Sequence, residues 1–188
     1  MSKIKVLGVD MAFENMGLAF AEVDVFTHEI AVVELRLVKT EARSGKQVRK
    51  SSDDLRRAKE LMAALVEASS RVDLAMAEVP GGSQSARAAK TLGIATGVLA
   101  ACRAPLVEVS PEEVKLAAVG KKTASKEEMR QWAYERHPEA NWLTRKLKGQ
   151  FVPLSDNEHL ADAVAAIHAG VLTEQFRSAT AMLRSLSA

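Results

Sequence analysis

A single cysteine, Cys102, stands in a chain of 188 residues. Without a second thiol the chain can neither close a disulfide within itself nor build a zinc site on cysteine, so any metal must be held by oxygen and imidazole. No apolar run approaches the roughly 20 residues that a membrane-crossing helix needs. The opening residues MSKIKVLGVD lead directly into a strand with no cleavable leader pattern, and the expected location is cytoplasmic. Internal repeats and low-complexity tracts are missing as well. An excess charge of one sign is lacking too, since the net charge of +2 is close to neutral and selects no partner by itself. What remains is ordinary globular material, 47% hydrophobic and 27% charged, in a length that suits one domain over residues 1–188 with one active surface.

Residues 4–21, IKVLGVDMAFENMGLAFA, read as two core strands joined by a tight antiparallel turn at Glu14 and Asn15. Residues 30–38 alternate enough to add a third, half-buried strand. A basic loop follows over residues 40–50. Ser51, Ser52 or Asp53 then offers an N-cap for a helix whose inner face carries Leu55, Ala58, Leu61, Met62, Leu65 and Val66. Residues 72–79 are a buried fourth strand, broken at Pro80, Gly81 and Gly82. The Ala- and Gly-rich residues 83–101 predict a helix able to lie close to its neighbours, and residues 105–109 a fifth strand. Ser110-Pro111-Glu112-Glu113 and Ser125-Lys126-Glu127-Glu128 each spell a capping box opening a helix. Residues 140–155 lose periodicity and read as a basic, aromatic surface loop. Helices from Asp156 or Asn157 to about Leu172, and over residues 173–186, complete the chain.

Asp10 is the only charge at the exit of the first strand, and Glu78 repeats that placement on the fourth. A carboxylate in the wall of a buried sheet is costly unless a cation or donors answer it, although capping a turn or pairing with a lysine would also serve. Asp162, three residues after His159 on a helix, can join them. Three converging carboxylates repel one another unless divalent cations neutralise them, and hard oxygen ligands suit Mg²⁺ or Mn²⁺. Two such ions can grip both sides of a phosphodiester. Basic residues crowd one segment (Arg36, Lys39, Arg43, Lys46, Arg49, Lys50, Arg56, Arg57, Lys59) and recur at Arg145, Lys146 and Lys148, in patterns that suit phosphate contacts or a solvated face. His137, His168 and Glu14 read as structural.

In this order the motifs resemble the RuvC family of Holliday-junction resolvases. Gly8-Val9-Asp10 with Gly17 looks like that family's opening strand turn, and Glu78 with Ala88, Lys90, Leu92 and Gly93 like its second acidic motif and helix. Val114-Lys115, Val119-Gly120 and Lys126 look like the segment that supplies basic residues to the site. The run from His159 to Ala165 looks like the closing metal motif. The resemblance covers nearly the whole chain. It implies an α/β, ribonuclease-H-like fold, a five-stranded mixed sheet of three antiparallel then parallel strands flanked by helices. It implies a homodimer that resolves four-way DNA junctions by paired phosphodiester hydrolysis with two Mg²⁺ (or Mn²⁺) ions per site.

The implied metal ligands are Asp10, Glu78, His159 and Asp162, with Glu158 an alternative fourth ligand, and Lys126 is implied to stabilise transition-state charge. The implied DNA contacts are Lys115, Lys121, Lys122, Arg145, Lys146 and Lys148. Two departures stand out: Gly81-Gly82 where the family commonly carries an aromatic wedge, and a longer stretch between Lys126 and His159, whose Trp142 and basic residues are assigned to extra DNA contacts. A less selective branched-DNA nuclease of the same fold, a phosphate-loop ATPase and a junction binder without catalysis are the alternatives.

Overall fold

The computed structural model describes residues 3–45, 48–79, 82 and 85–187. Three antiparallel strands, β1 (Lys3–Met11), β2 (Asn15–Asp24) and β3 (Ile30–Lys39), precede α1 (Lys50–Ser69), β4 (Leu74–Glu78), α2 (Ala86–Leu99) and β5 (Leu106–Val109). Then come α3 (Pro111–Val119), α4 (Lys126–Arg136), the short pair β6 (Thr144–Leu147) and β7 (Gln150–Pro153), α5 (Asn157–Gly170) and α6 (Glu174–Ser187). The main sheet has five strands in the order β3-β2-β1-β4-β5, with β4 and β5 parallel to β1, as the sequence implied.

Alternation along β1 sorts its side chains onto two cores. Leu7, Val9 and Met11 face α1 and α2, where Leu61, Leu65, Ala95 and Val98 close one apolar layer. Ile4 and Val6 face the other way, toward Leu160, Val164 and Ile167 of α5 and Phe176 of α6. That second face is unusually close-set. A Cβ on Gly8 would lie 2.1 Å from the carbonyl oxygen of Ala163, and one on Gly17 would lie 2.1 Å from that of His159. Only glycine at both positions lets the backbone of α5 rest directly on β1 and β2.

Both expected capping boxes are present at Ser110 and Ser125. Helix α1 differs from expectation. It begins at Lys50 without a side-chain cap, and Asp53, instead of capping, is buried, accepting hydrogen bonds from the Arg56 guanidinium and the Arg43 amide. Leu55 and Met62, assigned inward, are exposed, because the buried row runs through Asp53, Arg57, Leu61, Leu65 and Ala68. Residues 144–153 are a hairpin rather than a loop, turning at Lys148 (φ 49°) and Gly149 (φ 87°). The strand break at Pro80-Gly81, the helix start at Ser83 and the cation of Lys46 lie outside the described residues. Among the described residues no helix is long and apolar enough to cross a membrane.

Candidate active site

The parallel register Val9↔Ala77 carries on to set Asp10 beside Glu78 at the carboxyl ends of β1 and β4. By alternation both share the face of Gly8 and Met76, which is the face that α5 covers. The next neighbour on the other side is Gly17, paired with Asp10 across β1 and β2. Because Gly17 has no side chain, the first turn of α5 comes down over it, and the His159 Nδ1 reaches the Asp10 Oδ2 at 2.7 Å. With Nδ1–H donating to Asp10, the Nε2 lone pair is free to accept from the Asn15 Nδ2 at 3.3 Å.

One turn further along α5, Asp162 completes the acidic group. Burial, followed by the charges of Asp10 and Glu78, pushes its carboxyl up to about 7, against a smaller opposing pull from His159. Glu78 is likewise pushed up to about 7, by burial first and Asp10 second, with Lys115 opposing. His159 is raised, chiefly by its hydrogen bond to Asp10. Glu158 lies at the rim, its Oε1 accepting from the Lys126 ammonium at 3.0 Å and standing 3.7 Å from the His159 Nε2.

The structure therefore brings Asp10, Glu78, His159 and Asp162 into one electrostatically coupled group, with Lys115 and Lys126 beside it. Lys121 and Lys122 pair instead with Glu128 and Glu112 at the surface, and Arg145, Lys146 and Lys148 stand on the β6–β7 hairpin. His137 and His168 hydrogen-bond one another through their Nε2 atoms at 2.8 Å; burial lowers them to about 4 and about 3 respectively. Much of the first basic segment is already committed. Arg36 pairs with Glu34 and Glu67, Arg56 with Asp53 and Glu60, and Arg57 stacks on Phe13. Arg43, Lys50 and Arg87 instead line a groove of about 800 Å³ that opens at Glu158 and His159.

In kind, the donors fit a hard divalent cation: carboxylate oxygens plus one imidazole, with Glu78 and Asp162 raised to about 7 by burial first and by neighbouring acids second. In position they are not yet a cage. Among the described residues no three His, Cys, Asp or Glu side chains are gathered closely enough to hold an ion, and the Asp10 Oδ2 is engaged by His159. Sequence reasoning missed Asn15, which the turn motif could have flagged, and Asn157, whose amide is buried at the root of the hairpin.

Fold and site define a ribonuclease-H-like α/β domain with acids at the carboxyl ends of its two central parallel strands. No protein-family model and no curated protein matches the chain. Among solved structures it is similar to Thermus thermophilus RuvC in complex with Holliday junction substrate, at 21% identity and TM-score 0.64, covering 95% of this chain and 96% of that one. It is also similar to a second Thermus thermophilus RuvC structure, at 22% identity and TM-score 0.58, covering 94% and 96%. The fold is that of RuvC.

Proposed function

We propose that this protein is a divalent-metal-dependent endonuclease that resolves four-way DNA junctions, cutting paired strands from two copies of the site in a homodimer. The juxtaposition of Asp10, Glu78 and Asp162 at the strand ends carries this reading. Burial, together with the charge of Asp10, suppresses the ionisation of Glu78 and Asp162, and binding of divalent cations would offset the cost of gathering these acids. The likeness in fold to a RuvC bound to a Holliday junction supports the substrate.

Asp10, Glu78, Asp162 and His159 would hold the metal, Mg²⁺ or Mn²⁺ and two ions per site. Such ions, when bound, supply charge to the phosphate oxygens and activate water. His159 keeps the Asp10 carboxylate oriented through Nδ1, and its one remaining nitrogen, Nε2, serves either as the metal ligand or, in place of that, as the group that takes or returns a proton at the scissile phosphate. The exposed Lys126 can exchange Glu158 for phosphate oxygen and stabilise charge in the transition state. Lys115, Lys121, Lys122, Arg145, Lys146 and Lys148 supply phosphate contacts. The open, small-residue face of α2, with Gly93 and Gly97 free of neighbours, suits the dimer contact.

The test is cleavage of a fixed and a mobile four-way junction, with and without Mg²⁺. Asp10→Asn, Glu78→Gln and Asp162→Asn should each lower cleavage at least about a hundredfold while junction binding persists; full activity in any of them would refute the assignment. Fork and linear duplex run alongside separate a junction resolvase from a general branched-DNA nuclease.

A further inference from the structure

Residues 142–155 contain Arg145, Lys146 and Lys148 but no Asp or Glu. None of these three cations has an ion pair or side-chain hydrogen bond among the described residues. Several other surface lysines are paired, Lys39 with Asp156, Lys121 with Glu128, Lys122 with Glu112 and Lys126 with Glu158, whereas Lys115 beside the acids has no ion pair among the described residues. On the same hairpin Phe151 is 74% exposed, the highest value of any large hydrophobic residue among those described. The register Lys146↔Phe151 puts that ring and a free ammonium side by side on one face of the ribbon.

The hairpin is also held firmly. Its tip is a two-residue turn with both residues at positive φ, a conformation matched to the twist of the strands. Its root is tied to the start of α5. The Asn157 amide, fully buried, accepts from the Leu143 N–H and donates to the Leu143 carbonyl and the Tyr134 hydroxyl. The ribbon therefore springs from the helical turn that carries Glu158 and His159. An aromatic ring with the unpaired Lys146 on its own face, Lys148 at the tip and Arg145 on the opposite face, on a stiff support, matches a nucleic acid that shows a bare base face with phosphates to either side. A continuous duplex has no such face; a branch point does.

We propose that the β6–β7 hairpin reads the branch point itself, with Phe151 stacking on a base face exposed where strands exchange and Arg145, Lys146 and Lys148 holding the flanking phosphates. This rests on the reading that the substrate is branched DNA. The experiment uses the full chain, without divalent ion, on a four-way junction carrying 2-aminopurine at the branch or, as control, within an arm.

At saturating protein the wild type changes the branch-site fluorescence about threefold more than the arm-site signal, as expected for an unstacked and restacked base. Phe151→Ala loses that difference and binds roughly 5- to 150-fold more weakly, whereas Phe151→Trp keeps both. An unchanged branch signal in Phe151→Ala at saturation overturns the proposal while the nuclease reading stands. So does a wild type that binds the junction without any branch-specific signal, or a Phe151→Ala variant that merely dissociates into monomers. Absence of junction binding by the wild type would instead sink the underlying reading of the substrate.

Discussion

At residue scale the site is defined by what its acids lack. Glu78 ionises near 4.5 in the unfolded chain and at about 7 in the folded one. From pH 4.5 to 7 the unfolded state therefore gives up a proton that the folded state keeps, and this group's stabilising contribution, complete below 4.5, is lost as pH rises. Other groups titrate in the same window; His137 and His168, held low, act in the opposite direction. A difference measurement reports this acid together with its coupling to Asp162, whose carboxyl the Glu78 charge helps to raise. Urea melts of Glu78→Gln should gain about 3 kcal/mol on the wild type between pH 4.5 and 7, then run parallel to it. Added Mg²⁺ should restore the wild type above pH 7 and do less for the variant.

Gly17 poses the steric counterpart, since a methyl group there meets the His159 carbonyl at 2.1 Å. Gly17→Ala should lower stability by about 1–3 kcal/mol and separate His159 from Asp10. The expected readout is lost cleavage with junction binding retained.

At the scale of elements, Asn157 joins the hairpin to α5. Asn157→Ala leaves the Leu143 N–H without its partner, while the Leu143 carbonyl still accepts from the Leu154 amide. The expected cost is roughly 2 kcal/mol, or about 4–8 °C in a melting curve, with cleavage falling because the start of α5 loosens. A melting temperature equal to that of the wild type would show that the tie carries no load.

The same elements show where the sequence could be read and where it could not. Strands β1, β2 and β4 announce themselves as apolar runs, and Asp10 and Glu78 are conspicuous because each is the one charge closing such a run. Asp162 was legible only together with them. The hairpin was not, because both its short strands are largely exposed and show no apolar alternation, leaving Lys148-Gly149 as the sole turn signal. The inner face of α1 was misjudged at Leu55 and Met62 because Asp53 and Arg57, both charged, take buried positions there, Asp53 accepting from Arg56 and Arg57 donating to the Thr40 hydroxyl. A pattern of hydrophobic residues cannot report a buried row that is partly ionic.

Taken whole, the molecule is nearly neutral, so binding of the proposed DNA substrate would depend on where unpaired cations are grouped rather than on total charge. Several cations of the basic segment at residues 36–59 are engaged by acids, while among the described residues the hairpin and the groove lined by Arg43, Lys50 and Arg87 carry cations without ion pairs. Junction affinity should fall steeply with salt. The variant Arg145→Ala/Lys146→Ala/Lys148→Ala should flatten the log–log slope by roughly 2–3 units. A slope unchanged by the triple substitution would place the phosphate contacts elsewhere.

The glycines beneath α5 have a consequence for how such a site can vary. The obstacle at positions 8 and 17 is a carbonyl oxygen, which has no alternative rotamer to adopt. A methyl added at either place cannot be accommodated by trimming a nearby residue, so second-site suppressors of the usual cavity-making kind are closed off. The closest limit on the gap between strand ends and helix is thus main chain, which substitution of surrounding side chains does not remove.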